Sequence, residues 1–172
     1  SDLLAKVAEA GKLAKVSFVL QHKALGLGHA VLMAQEAVGH EPFVVILPDD
    51  IITHSPGVIS QMVEVSEKMN AGIIAVEVVP KETVHNYGIV DADLVSDRVH
   101  KIRSLVEKPS REQAPSNLSI VGRYILPPQI FKCLENTGPG AKGEIQLTDG
   151  LLALLQNHEL FAYEFAGTRY DG

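Results

Sequence analysis

Uninterrupted apolar runs that alternate with helix-like segments constrain this chain more than any other feature. Phe43-Val44-Val45-Ile46-Leu47 is apolar throughout and is stopped by Pro48-Asp49-Asp50, while residues 72–79 are rich in β-branched side chains and end at Pro80. A strand that is apolar on both faces needs cover on both faces, which is the habit of α/β sheets rather than of sheets with one wet side. Between these runs, residues 57–70 place Val58, Ile59, Met62, Val63 and Met69 on or near one face of a helix. The same reading predicts strands at 16–20, 119–126 and 159–165, and helices at 29–38, 128–135 and 147–156. Residues 87–90 and 99–106 are shorter strand-like pieces separated by charged turns, an antiparallel excursion. The expected architecture is an α/β sheet, mostly parallel, with helices on both faces.

A length of 172 residues suits one domain, residues 1–172, and no repeat or linker divides it. A net charge of −6 argues against a general affinity for nucleic acid, so any phosphate must be met locally, by backbone amides, a few cations or a metal. No apolar run approaches the roughly 20 residues a membrane helix needs. The single cysteine, Cys133, excludes an internal disulfide and a cysteine-based zinc site, and the cytoplasm is the simplest address.

In open α/β sheets ligands bind beyond the carboxyl ends of the strands. Three segments fall there. Gln21-His22-Lys23-Ala24-Leu25-Gly26-Leu27-Gly28-His29-Ala30 has two glycines that let backbone approach a flat or charged ligand. It is not a dinucleotide fingerprint, because the third glycine position is Val31. Leu47-Pro48-Asp49-Asp50 puts two carboxylates at a strand tip, suited either to Mg²⁺ with substrate phosphates or to a turn and helix cap. Val106-Glu107-Lys108-Pro109 sets an acid beside a base. Such a pair fits a sugar phosphate if the chain bends there, or is a solvated surface pair if it does not.

Taken with Tyr87-Gly88-Ile89-Val90, Ala114-Pro115-Ser116-Asn117-Leu118, Val121-Gly122-Arg123-Tyr124, Gly143-Glu144-Ile145-Gln146-Leu147-Thr148-Asp149 and Arg169-Tyr170-Asp171, these segments resemble one family. It is the bacterial UTP–glucose-1-phosphate uridylyltransferases (UDP-glucose pyrophosphorylases), within the sugar-phosphate nucleotidyltransferase superfamily. The resemblance implies a Rossmann-like sheet and transfer of UMP from UTP to glucose 1-phosphate, giving UDP-glucose and pyrophosphate. It implies that Gln21 and Gly26 read the uracil, and that Gly88, Glu107 and Lys108 hold the glucose and its phosphate. It further implies that Asp49 and Asp171 bind Mg²⁺, with Asp49 and Lys108 as the catalytic pair. The superfamily's GxGTR loop has no counterpart here, nor do the helices that follow the Arg-Tyr-Asp segment. The chain is therefore expected to be the middle of a longer enzyme, homo-oligomeric when complete, and inactive alone. A non-catalytic sugar-nucleotide-binding module and a relative that uses dTTP are the alternatives.

Overall fold

The computed structural model describes residues 9, 12–140 and 143–171, with the backbone alone for Asp171. The strands are β1 (Phe43–Ile46), β2 (Asp50–Thr53), β3 (Gly72–Val78), β4 (Gly88–Ser96), β5 (Val99–Glu107), β6 (Leu118–Leu126), β7 (Leu160–Glu164) and β8 (Thr168–Asp171). The helices are α1 (Leu27–Met33), α2 (Gln35–Val38), α3 (Val58–Met69), α4 (Gln129–Asn136) and α5 (Leu147–Leu154). Six strands form one sheet in the order β1-β6-β3-β7-β5-β4, and β2 pairs with β8 in a separate ribbon.

Period-two alternation divides the core between the two faces of the sheet. Ile73, Ala75, Val121, Ile125 and Phe161 pack beneath Val58 and Met62 of α3. Ile74, Val76, Ile120, Tyr124 and Leu126 face the other way, against Val31 of α1, Phe131 of α4 and Leu151 of α5. Helices thus cover both faces at the centre of the sheet, whereas at the edge strand β1 the expectation of cover on both faces fails, with Val44 39% and Ile46 55% exposed. Every residue of β6 from Ser119 to Leu126 is buried, because this strand is both central and covered on each side.

The balance of strand directions departs from a mostly parallel sheet. Among the described pairings of that sheet only β3–β7 is parallel, while β6 runs antiparallel to β1, β3 and β4. An apolar run reports that both faces are covered and carries no information on the neighbour's direction, so the sequence signal fits either arrangement. The antiparallel excursion is also longer than expected. β4 and β5 form a nine-residue by nine-residue hairpin, closed by Asp97 and Arg98, with Arg98 at φ 58°.

Residues 16–20 are not a strand. Val16, Phe18 and Leu20 are 66%, 91% and 71% exposed, and among the described residues no strand lies alongside them. Composition alone cannot make a strand, whose backbone groups need a partner. The helix expected at 29–38 starts earlier, at Leu27, and is broken at Ala34, whose N–H turns back to the Val31 carbonyl at 3.0 Å.

Candidate functional site

A gap along one edge of β6 creates the site. β1 runs down that edge until Ile46 pairs with Arg123 and the Leu47 N–H meets the Gly122 carbonyl at 2.9 Å. β4 takes up the same edge again where Ile89 pairs with Ser119. Between these ends, Ile120 and Gly122 floor a cleft of about 380 Å³, flanked by Asp49 on the β1 side and Gly88 on the β4 side. Tyr124 lines it from β6, and Leu147 and Thr148 close it from the start of α5. A larger groove of about 800 Å³ lies between α3 and the first residues of β1 and β3. It contains none of the candidate site residues read from the sequence.

The structure brings Gly88, Glu107 and Lys108 together. Gly88 pairs with Glu107 across the β4–β5 ladder, and the Lys108 N–H donates to the Tyr87 carbonyl at 3.0 Å. The chain bends at Lys108 itself, whose φ is 44°. A left-handed conformation in a residue other than glycine is costly and is held here by its surroundings. The bend brings Lys108 Nζ to 3.8 Å from Glu107 Oε1 instead of sending the two side chains to opposite faces. Glu107 Oε2 accepts a hydrogen bond from the Thr148 hydroxyl at 2.7 Å.

Asp49 and Asp50 divide their work. Asp50 is buried and its carboxylate is taken by Arg169, whose guanidinium also reaches Glu77 at 3.2 Å and lies 5.3 Å over the Tyr87 ring. Arg123 donates to the Leu47 carbonyl at 2.7 Å and to the Asp50 carbonyl. Two buried arginines therefore clamp the turn that carries Asp49, and Asp49 stays exposed at the cleft. Asp171 sits opposite Asp50 in the β2–β8 ladder. Among the described residues no three His, Cys, Asp or Glu side chains converge on a point. Asp49 offers the cleft a carboxylate, the hard oxygen ligand that Mg²⁺ takes. The Tyr124 phenol is pushed far above its ordinary value by burial, with the charges of Glu107, Asp50 and Asp49 adding to it, so it remains a neutral donor.

Gln21 and Gly26 lie together but do not line the cleft. Gln21 Nε2 donates to the Gly26 carbonyl at 3.1 Å and sits 2.9 Å from His29 Nδ1. A Cβ at Gly26 would fall 2.7 Å from the Ile145 carbonyl, and φ there is 98°, so this loop is locked against residues 144–146. Gly28 N–H to Ile145 O at 2.9 Å and Ile145 N–H to Leu25 O at 2.8 Å complete that lock. Leu27, the next residue after Gly26, does line the cleft.

Sequence reasoning missed Arg123, Arg169, Tyr124 and Thr148 as site components. For the arginines a signal existed. A guanidinium inside an apolar strand is almost never buried unless paired, so Arg123 within Ile120-Val121-Gly122-Arg123-Tyr124 announces partners.

The nucleotidyl transferase family profile matches residues 2–170. The chain belongs to that family. Among its nucleotidyl transferase relatives, the UTP–glucose-1-phosphate uridylyltransferase of Bacillus subtilis (strain 168) is 45% identical over 172 residues, 99% of this chain and 59% of that protein. The enzyme of the same name from Staphylococcus epidermidis is 42% identical over 171 residues, again covering 59% of that protein. A crystal structure of UDP-glucose pyrophosphorylase complexed with UDP-glucose superposes with a TM-score of 0.88 at 44% identity, over 90% of this chain and 60% of that one. A UTP-bound enzyme from Acinetobacter baumannii gives 0.86 at 39% identity, over 99% and 60%. The chain thus spans about three fifths of the length of these relatives.

Proposed function

We propose that this chain supplies the sugar, phosphate and base contacts of an enzyme that transfers UMP from UTP to glucose 1-phosphate, releasing pyrophosphate and forming UDP-glucose. The observation that carries this reading is the meeting of Glu107 and Lys108 with Gly88 and Asp49 in one cleft. A carboxylate accepts sugar hydroxyls, and an ammonium beside it offsets the charge of a phosphate. The names of the relatives, and the UDP-glucose and UTP in two of the solved neighbours, support the same ligands. A cytoplasmic setting suits a chain with one cysteine, and no helix among the described residues is long and apolar enough to cross a membrane.

In the proposed reaction an oxygen of glucose 1-phosphate attacks the α-phosphorus of UTP, and the bond from that phosphorus to the bridging oxygen breaks with pyrophosphate leaving. Such a transfer depends on alignment and charge neutralisation more than on a strong base. Lys108 holds the attacking phosphate, Glu107 and the Gly88 backbone orient the sugar, and Gln21 with Gly26 faces the uracil. Mg²⁺, held by Asp49 and Asp171, would neutralise charge on the phosphates. The test is direct. UDP-glucose should bind this chain and, in the complete enzyme, Mg²⁺-dependent UDP-glucose synthesis should follow from UTP in preference to dTTP. Binding of UDP-glucose by a complete chain that shows no turnover would instead favour a binding module.

A further inference from the structure

We infer that Thr148 is a positioning residue for sugar recognition: its hydroxyl pins one oxygen of Glu107, so that the carboxylate meets the sugar in a single orientation. The inference rests on the assignment of the sugar to Glu107 made above.

A carboxylate on a two-bond stem swings freely unless something holds it, and an ionised carboxylate can only accept hydrogen bonds. Thr148 is 8% exposed and donates to Glu107 Oε2 at 2.7 Å, across 41 residues of sequence. The hydroxyl's own position is set by packing. Leu147 before it and Leu151 after it are 2% and 0% exposed, which anchors the first turn of α5 in the core. The Gly88 backbone passes close to the same oxygen, with no room for a side chain between them. A Cβ on Gly88 would stand 3.3 Å from Oε2, 3.1 Å from Ile120 Cδ1 and 3.6 Å from the Thr148 hydroxyl. Oε2 is therefore occupied by the Thr148 hydroxyl. Oε1, the oxygen nearer to Lys108, is left to accept from a ligand. A fixed acceptor at a fixed distance from the phosphate-binding ammonium distinguishes sugars by where their hydroxyls lie, which a freely rotating carboxylate does less well.

The experiment measures calorimetric affinities of this chain for UDP-glucose and for UDP, which lacks the sugar. Thr148→Val keeps shape and removes the donor. It should weaken UDP-glucose roughly tenfold, the scale of one lost hydrogen bond to a charged group, and leave UDP within twofold. Thr148→Ser should restore the wild-type ratio. In a Glu107→Gln background the further change to Thr148→Val should cost little, since the pinned carboxylate is already gone. If Thr148→Val binds UDP-glucose as tightly as wild type, or loses UDP and UDP-glucose alike, the positioning role is wrong. Should Thr148→Val fail to fold, the ratio in Thr148→Ser and Thr148→Ala decides: a normal ratio in the alanine variant overturns the inference. A wild-type chain that binds UDP-glucose no better after comparison with Glu107→Gln would overturn the sugar assignment itself, a distinct failure.

Discussion

Glu107 reaches the cleft from the end of a nine-residue strand, paired in register with β4 over Ser104–Glu107 and clasped by Thr148. Gln21 reaches the neighbourhood of the cleft from an irregular loop, and its amide is occupied by Gly26 and His29 rather than by the cleft. On the proposed assignment, a sugar end and a base end are thus built on different principles. At the sugar end, side chains are aimed by a sheet and its core. At the base end, backbone is set against backbone, residues 25–28 against 144–146. The first end is held by a strand ladder and a side-chain hydroxyl, the second by backbone hydrogen bonds of Leu25 and Gly28 to Ile145. The comparison predicts unequal penalties when each end is damaged.

The largest penalty should fall where the turn carrying Asp49 is clamped. Arg169→Ala leaves Asp50 buried without its cation, with both side chains only 7–8% exposed in the wild type. It should cost about 3–5 kcal/mol in urea unfolding; a loss below about 1 kcal/mol would make the clamp ornamental. Next comes Asp49→Ala in the complete enzyme, where Mg²⁺-dependent turnover should drop by about a hundredfold or more with folding unchanged. A near-normal rate would remove Asp49 from the chemistry.

Alkaline pH probes the floor of the cleft. Tyr124 has its phenol pKa raised in the folded state, chiefly by burial. Above the ordinary value of 10 the unfolded chain releases this proton and the folded chain keeps it. Stability contributed by Tyr124 is therefore complete below pH 10 and lost as pH rises, by about 1.4 kcal/mol per unit. Melting temperatures of Tyr124→Phe should decline less steeply above pH 10 than those of the wild type. Identical alkaline limbs would mean that the phenol reaches water. The smallest effect belongs to the loop-built end. Gln21→Ala should raise the KM for UTP by roughly threefold to tenfold, on the scale of one neutral hydrogen bond, and leave that for glucose 1-phosphate alone.

What could be read from the sequence follows the same division. β3 and β6 were visible because strands covered on both faces are apolar nearly throughout, while β1 is equally apolar although Val44 and Ile46 face outward. Their directions were not, since burial is blind to polarity of the chain. β2 and β8 stayed hidden because Asp50-Ile51-Ile52-Thr53 and Thr168-Arg169-Tyr170-Asp171 carry charged and polar residues that read as turn chemistry. Glu107 and Lys108 stood out as a pair next to Pro109, yet only the left-handed bend at Lys108 turns them into neighbours in space. Thr148 could not be assigned a partner from its own segment, because the carboxylate it holds belongs to another element. The division of labour between Asp49 and Asp50 likewise depends on Arg169, more than a hundred residues away in the chain.

The close approach of α4 and α5 has a consequence for the cleft. A methyl group on Gly150 would lie 2.4 Å from Leu134 Cδ2 and 3.0 Å from its Cγ, so the spacing of the two helices depends on the absence of that carbon. Thr148 precedes Gly150 by two residues on the same helix. Widening the helix pair by an ångström would draw the Thr148 hydroxyl out of hydrogen-bond range of Glu107 while the strand that carries Glu107 stays in place. The reverse face of α5 therefore bears on the proposed sugar contact, and a change at Leu134 is expected to alter the hydrogen bond between Thr148 and Glu107.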